Sequence, residues 1–237
     1  MKTLTAIAAA LVLTGCASNG TVASHPASCV KPGSDQDLAL NLADDMANDG
    51  RLYASLANLE GLPEELVQVR LRKARVLRLM GRNEAEPLYR SLLGTCLAAD
   101  GEHGLGQLAA ARNDYASATE HLEHAARMAP TEGKIRNDLG VVYLNQRRIP
   151  QARFEFMTAM ELQRSDSLAA LNMVTLLIYQ DNWKQAAELA NMAKLSPQQI
   201  ADAQARAEKI RGSASHPLTT QANRLNEVVE ASTGAAK

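Results

Sequence analysis

The apolar positions of this chain follow a helical spacing, and small residues return on a fixed interval along its second half. Alanines recur every 34 residues in two series, Ala118, Ala152 and Ala186, and then Ala125, Ala159 and Ala193. A leucine–glycine pair and a large apolar residue follow the same interval, as Leu105-Gly106 and Leu139-Gly140, and as Leu122 and Phe156. A 34-residue period with small residues in phase is typical of stacked helical hairpins. The pattern therefore predicts an all-α solenoid.

Each repeating unit is expected to be a pair of antiparallel helices. Glycine at 106 and 140 removes a side chain where the first helix crosses the second, and Leu122 or Phe156 fills the space between them. One hairpin buries too little apolar surface to be stable alone, so several must stack. The period and the residue pattern are those of tetratricopeptide repeats. We predict a right-handed superhelix of about five hairpins with a C-terminal capping helix.

The repeat domain is predicted to cover residues 35–211. The first unit, at about 35–62, is degenerate. The third and fourth, at about 99–132 and 133–166, are the clearest, and the fifth covers about 167–197. Ser196, followed by Pro197 and Gln199, has the pattern of a helix N-terminus, and this begins the capping helix. In the tail, 212–237, apolar residues keep helical spacing at Leu218, Ala222, Leu225 and Val229. Whether that tail folds, alone or on a partner, stays open.

The first residues have the pattern of an export signal. A positive start is followed by about ten apolar residues, too few for a permanent transmembrane helix, so residues 1–15 are assigned to a signal peptide. The ending Leu13-Thr14-Gly15-Cys16 resembles a bacterial lipobox. That resemblance implies a lipid anchor on Cys16, and Ala17 after it implies the periplasmic face of the outer membrane. An ordinary cleaved signal is the alternative. Residues 16–34 would be a flexible linker with a reach of about 20–25 Å.

Charge and cysteine content narrow the function classes. The chain has 25 basic and 26 acidic residues, without the basic excess expected of a nucleic-acid binder. Besides Cys16 there are two cysteines, Cys29 and Cys96, which do not form a C-x-x-C pair. In an oxidising compartment they would form a disulfide or remain two separate thiols, and the sequence leaves both possibilities open.

Catalytic motifs are scarce. His121 and His124 lie three residues apart beside Glu120 and Glu123, and we interpret them as a solvated helix face rather than as metal ligands. No nucleophile elbow and no glycine-rich phosphate loop is present, so we expect neither a cofactor nor an enzymatic activity.

The expected working surface is the concave face formed by the first helices of successive units. By register with other tetratricopeptide proteins it comprises eight residues: His103, Gln107, Asn137, Val141, Leu144, Asn145, Thr175 and Tyr179. Their amides and phenol could pair with a partner's backbone, or the residues could simply be solvated or packed. If they form a binding surface, replacing Asn137 and Asn145 by alanine is expected to weaken partner capture without loss of stability.

Three segments resemble the TadD family, the tetratricopeptide lipoproteins of the tight adherence (Flp) pilus apparatus. They are Asn137–Tyr143, Ala152–Phe156 and Leu171–Met173, and the lipobox at Cys16 and the helix start at Leu195-Ser196-Pro197 are also similar. The resemblance implies a periplasmic assembly factor that acts on the pilus secretin or neighbouring apparatus proteins, with no role for nucleic acid. Alternatives are a tetratricopeptide lipoprotein of type IV pilus secretin assembly, outer-membrane protein assembly or cell-wall enzyme regulation. An envelope enzyme built on a helical frame is a further one.

Overall fold

The computed structural model describes residues 29–212, and this part of the chain is helical without a strand. Its helices are α1 (Ser34–Asn48), α2 (Leu52–Glu60), α3 (Val67–Leu79), α4 (Ala85–Arg90), α5 (Ala98–Ala111), α6 (Tyr115–Met128), α7 (Gly133–Asn145), α8 (Ile149–Leu162), α9 (Leu168–Tyr179), α10 (Trp183–Met192) and α11 (Pro197–Arg211). None of these helices is long and apolar enough to cross a bilayer. The predicted all-α class is confirmed. The predicted signal peptide, Cys16 and the tail beyond Gly212 lie outside the described residues.

The helices pack as five hairpins followed by one closing helix. Each odd-numbered helix from α1 to α9 packs against the even-numbered helix that follows it. The odd-numbered helices also contact one another in sequence, from α1 to α3 and on to α11. They form what we call the inner layer, whereas the even-numbered helices lie outside it. Successive hairpins therefore stack side by side, as a solenoid requires.

Glycine allows the close helix crossings that the sequence predicted. A Cβ atom built on Gly106 would lie 2.6 Å from Leu122 Cγ, and one on Gly140 would lie 2.6 Å from the Phe156 ring. Both large side chains are completely buried. Gly104 makes a comparable approach to the Tyr89 ring, which the repeat period did not predict.

Each hairpin turns through one residue in the left-handed backbone conformation. These residues are Gly50, Gly81, Asn113, Arg147 and Asp181, with φ between 59° and 77°. The following amide donates to a carbonyl in the last turn of the preceding helix, for example from Arg82 to Leu77 at 2.9 Å. This is the pattern of a Schellman motif, which satisfies carbonyl groups at the helix end. The turns thus have one geometry, although only the first two use glycine.

The closing helix α11 begins as predicted. The Ser196 hydroxyl accepts a hydrogen bond from the Gln199 amide, the Gln199 side chain accepts one from the Ser196 amide, and Pro197 occupies the first turn. Ile200 and Ala203 are buried on the side of α11 that faces the solenoid, where the helix packs on α9. As a result, every residue of α9 from 169 to 178 is buried.

A disulfide joins Cys29 to Cys96, across 67 residues of sequence, with Cα atoms 5.6 Å apart. That separation lies in the ordinary range for a disulfide. The Gln68 amide also donates to the Val30 carbonyl at 3.1 Å. The start of the described chain is therefore tied to the connection between α4 and α5.

Candidate partner-binding groove

The inner layer contains an open groove of about 550 Å³. Its walls come from α1, α3, α5 and the first turn of α7, and a second hollow of about 160 Å³ adjoins it. Both hollows share His103, Gln107 and Lys134. We refer to the two together as the groove. It lies on the face that the repeat register predicted, but toward the N-terminal half of the solenoid.

One wall of the groove carries a row of arginines on α3. Arg72 pairs with Asp44 at 2.8 Å, and Arg75 pairs with Asp100 at 2.7 Å. Arg78 donates from Nε to the hydroxyl of buried Tyr89 at 3.3 Å. Within residues 29–212, neither the Arg78 guanidinium nor the Lys134 ammonium pairs with a carboxylate. The groove therefore offers two cations to an entering ligand.

A carboxylate from α7 organises the groove floor. The Asp138 Oδ2 atom lies 2.7 Å from His103 Nε2 and accepts a hydrogen bond from Gln107 Nε2, also at 2.7 Å. Asn137 donates to the other carboxylate oxygen at 3.3 Å. Burial raises the pKa of Asp138, but the hydrogen bonds and the His103 charge outweigh burial and hold that pKa below its ordinary value. Asp138 therefore stays ionised and fixes both groove residues of α5.

The same hydrogen bonds continue beyond the groove. Asn172 on α9 donates to the Asn137 amide oxygen at 2.8 Å, and Arg206 on α11 donates to the Asn172 amide oxygen at 3.0 Å. A polar ladder, formed by His103, Gln107, Asp138, Asn137, Asn172 and Arg206, thus crosses four consecutive helices of the inner layer. Because buried polar groups are costly when unpaired, this ladder fixes how the hairpins stack.

Two of the eight predicted surface residues have the expected position, and two do not. His103 and Gln107 line the groove. Leu144 and Thr175 lie in the core, 3% and 2% exposed, so their assignment to an open surface is wrong. Leu144 joins the main apolar cluster, and the Thr175 hydroxyl donates to the Leu171 carbonyl within its own helix. Thr175 is buried because α11 covers the side of α9 where a groove was expected.

The remaining predicted residues are wholly or partly engaged in internal contacts. Asn137 borders the second hollow but is buried in the polar ladder, so replacing it is expected to lower stability, contrary to the expectation from sequence. Asn145 donates to the Val141 carbonyl at 2.8 Å. The Arg211 guanidinium lies over the Tyr179 ring. Val141, Asn145 and Tyr179 stay partly buried outside the groove, and their contact with a partner stays a prediction.

His121 and His124 lie on a helix face that is partly open to solvent, as interpreted, but both also contact a buried carboxylate that the sequence did not indicate. Their Nδ1 atoms lie 2.6 and 2.8 Å from the two carboxylate oxygens of Glu102, whose side chain is only 9% exposed. The cluster joins α5 to α6. The repeat period could have indicated this contact, because the positions 34 residues later hold a second one, between Arg136 and Glu155 at 3.2 Å. In the described part of the chain, no group of three or more His, Cys, Asp or Glu residues has a geometry suited to a metal ion.

Reasoning from the sequence also missed Asp138, Asn172 and Arg206. A signal existed, since His103 and Asp138 are 35 residues apart, as are Asn137 and Asn172. Residues at nearly one repeat length occupy adjacent helices of the inner layer, so polar residues at this interval indicate contacts between hairpins.

Known proteins share this architecture. The family model described as tetratricopeptide repeat matches residues 109–172. TPR repeat-containing protein PA4299 of Pseudomonas aeruginosa is 44% identical over 175 residues, which cover 74% of this chain and 71% of that protein. These matches, with the helical hairpins, confirm the predicted repeat fold.

Solved structures agree on the fold. The structure of pilF from Pseudomonas aeruginosa superposes with a TM-score of 0.59 at 17% identity, covering 83% of this chain and 87% of pilF. TTC0263 from Thermus thermophilus, a thermophilic TPR protein, has a TM-score of 0.57 at 17% identity, covering 74% of this chain and 98% of TTC0263. At such identities the likeness concerns the fold alone.

Proposed function

The chain belongs to the tetratricopeptide-repeat proteins, and from that premise we propose that it is a scaffold for assembly of a tight adherence (Flp) pilus secretion system. In this proposal the scaffold is anchored in the outer membrane by a lipid on Cys16 and faces the periplasm. It holds an apparatus protein, with the secretin favoured, in the groove. Repeat scaffolds of this kind are generally not enzymes, and the proposal gives the chain no catalytic step.

Two features support the periplasmic address. The segment Leu13-Thr14-Gly15-Cys16 resembles a lipobox, and Cys29 is joined to Cys96 in a disulfide. Structural disulfides persist in oxidising compartments, of which the periplasm is one. A multiply acylated cysteine would hold the protein stably on a membrane, because two or more chains anchor far more strongly than one.

The observation that carries the binding role is the open groove on the inner layer. Its floor is held by the Asp138 hydrogen bonds, so a ligand would meet side chains that are already ordered. Binding to an ordered surface loses less conformational entropy than binding to a mobile one. Arg78 and Lys134 would pair with acceptors on the ligand. The assignment to the tight adherence system rests on the resemblance of Asn137–Tyr143 and its companion segments to TadD proteins.

Charge reversal in the groove tests the proposal. Arg78→Glu with Lys134→Glu should reduce co-purification of the secretin and the number of surface pili by about tenfold or more, as loss of central interface contacts does. Arg127→Glu with Lys184→Glu is the matched control, since both residues are exposed on outer helices. Melting of both purified variants checks that they fold.

Deletion of the whole chain separates this role from the alternatives. We expect loss of surface pili with normal levels of outer-membrane proteins. Reduced outer-membrane protein levels would favour a role in their assembly instead. Pili and secretin capture that survive the groove substitutions would contradict the groove as the binding site.

A further inference from the structure

The two ends of the solenoid differ in what they expose. At the C-terminal end, α11 exposes no large apolar side chain between Pro197 and Arg211. At the N-terminal end, the first hairpin exposes Leu38 at 71%, Leu42 at 45% and Tyr53 at 76%. Terminal repeats normally present a polar outer face to water. Within residues 29–212, the solenoid is therefore closed at one end and leaves an apolar surface uncovered at the other.

The exposed leucines form a stripe on α1. Leu38 and Leu42 are four residues apart and so share one side of the helix. Leu40 and Ala43 point to the opposite side, where they are buried against the rest of the solenoid. The internal packing of α1 thus does not use the stripe. We call this stripe, Leu38 and Leu42, the end face.

Acidic residues surround the end face. Between residues 34 and 60 there are six acidic residues and one basic residue, Arg51, which pairs with Asp49 at 2.9 Å. Asp35 lies three residues before Leu38 and Asp45 three residues after Leu42, a spacing that puts them beside the stripe. Both are exposed, and neither pairs with a cation among residues 29–212. The end face therefore has an apolar centre and an acidic rim.

We propose that the end face binds an amphipathic helix of another protein, with apolar anchors and basic flanking residues. A helix of this kind would place its anchors against Leu38 and Leu42 and its lysines or arginines against Asp35 and Asp45. The site is separate from the groove, so the scaffold would hold two proteins at once.

The charges argue against three other occupants. A second copy of this face would bring two acidic rims together, which costs free energy. An anionic bilayer would be repelled in the same way. The chain's own ends lack the required charge, since residues 16–28 contain no lysine or arginine, and residues 213–237 hold two basic and two acidic residues.

Peptide binding to the purified full chain tests the proposal. The probes are two short helical peptides with the same leucine stripe, one with lysine and one with glutamate at the flanking positions. By fluorescence anisotropy at low salt, the leucine–lysine peptide should bind at least about tenfold more tightly than the leucine–glutamate peptide, and raised salt should weaken it. Equal binding of the two peptides would contradict the basic partner.

Paired substitutions locate the site. One variant combines Leu38→Ser with Leu42→Ser, and another combines Asp35→Asn with Asp45→Asn. Each should weaken binding of the leucine–lysine peptide at least about fivefold. Met192→Ser is the matched control, because Met192 is 76% exposed on the outer helix α10 and should not affect binding. The groove substitutions Arg78→Glu and Lys134→Glu should also leave peptide binding unchanged, so this inference and the proposed function can fail separately.

Other occupants give distinct results that would overturn the proposal. Dimerisation of the chain that is lost in the Leu38 and Leu42 variant would indicate a second copy. Binding to anionic vesicles that is lost in the same variant would indicate a bilayer. Tighter peptide binding after removal of residues 213–237 would indicate the chain's own tail. Undiminished peptide binding in the leucine variant would exclude the end face itself.

Discussion

The third and fourth hairpins use the same backbone positions for opposite chemistry. In the third, a carboxylate on the first helix, Glu102, binds His121 and His124 on the second. In the fourth, the charges are reversed, since the first helix supplies Arg136 and the second supplies Glu155. The two hairpins thus place a charged contact at the same positions of the repeat, with the acidic residue on opposite helices.

The fifth hairpin extends this comparison. The positions 34 residues after Arg136 and Glu155 are Ala170 and Leu189, which are apolar. The same two positions of the repeat therefore hold an ion pair in the fourth hairpin and apolar residues in the fifth. This is consistent with the finding that well-packed apolar residues can replace a buried ion pair without loss of stability.

The largest expected effect comes from filling a helix crossing. Gly140→Leu in the fourth hairpin should lower the free energy of unfolding by about 3 kcal/mol, because overpacking forces the rigid Phe156 ring and the backbone to move. Gly106→Leu in the third should cost less, since its neighbour Leu122 is more flexible. Urea denaturation measures both. Gly94→Ala is the control, because a Cβ there meets no atom within 4 Å. Equal costs for all three would refute the predicted crossing.

Breaking the ion pair of the fourth hairpin should have the next largest effect. Glu155→Leu alone leaves the mostly buried Arg136 without its carboxylate and should cost about 2 kcal/mol, less than the loss of a fully buried pair. Arg136→Ala with Glu155→Leu copies the fifth hairpin and should cost less than about 1 kcal/mol. A double-mutant cycle in urea gives the coupling. A double variant less stable than the single one would show that the polar pair is required here.

The turns offer a smaller test of the same kind. Gly81→Ala should cost about 1 kcal/mol, because a Cβ there meets no neighbouring atom and only the left-handed backbone opposes it. Later hairpins already hold Asn113, Arg147 and Asp181 at this position. Comparing the melting temperatures of Gly81→Ala and Gly94→Ala isolates the cost of the left-handed backbone at position 81. An unchanged melting temperature would mean that the turn relaxes to another conformation.

The smallest effects concern the pH dependence of stability. The pKa of Asp138 is lowered from 3.8, so its contribution is present above that pH and is lost as the pH falls through the folded-state pKa. The pKa of Glu155 is raised from 4.5, chiefly by burial, so its contribution instead increases as the pH falls from the folded-state pKa toward 4.5.

Acid titration of unfolding free energy separates the two carboxyl groups. Asp138→Asn should flatten the loss of stability below about pH 4, and Glu155→Gln should remove the gain just above pH 4.5. If Asp138→Asn changed the free energy of unfolding only above pH 4.5, that result would contradict the pKa directions of the two carboxyl groups.

Much of the fold followed from spacing alone. Small residues in phase predicted the crossings at Gly106 and Gly140, and the pattern at Ser196 predicted the start of α11. The groove was less predictable, because exposure depends on which helices lie nearby. Thr175 was misplaced because α11 covers α9, and the contact of His121 and His124 with Glu102 was missed because Glu102 belongs to a different helix. Contacts between helices depend on the relative positions of both partners, which local pattern does not contain.

The amino-acid sequence by itself determined the repeat period, the helical hairpins and the residue types at their crossings, since these depend on local propensity and on side-chain volume. Only the tertiary structure decided which polar residues meet, where the groove stays open, and which end of the solenoid is uncovered in the part of the chain that the structure describes. Those properties arise from the stacking of hairpins, in which residues about one repeat apart become neighbours and an added helix can bury a surface that would otherwise face water.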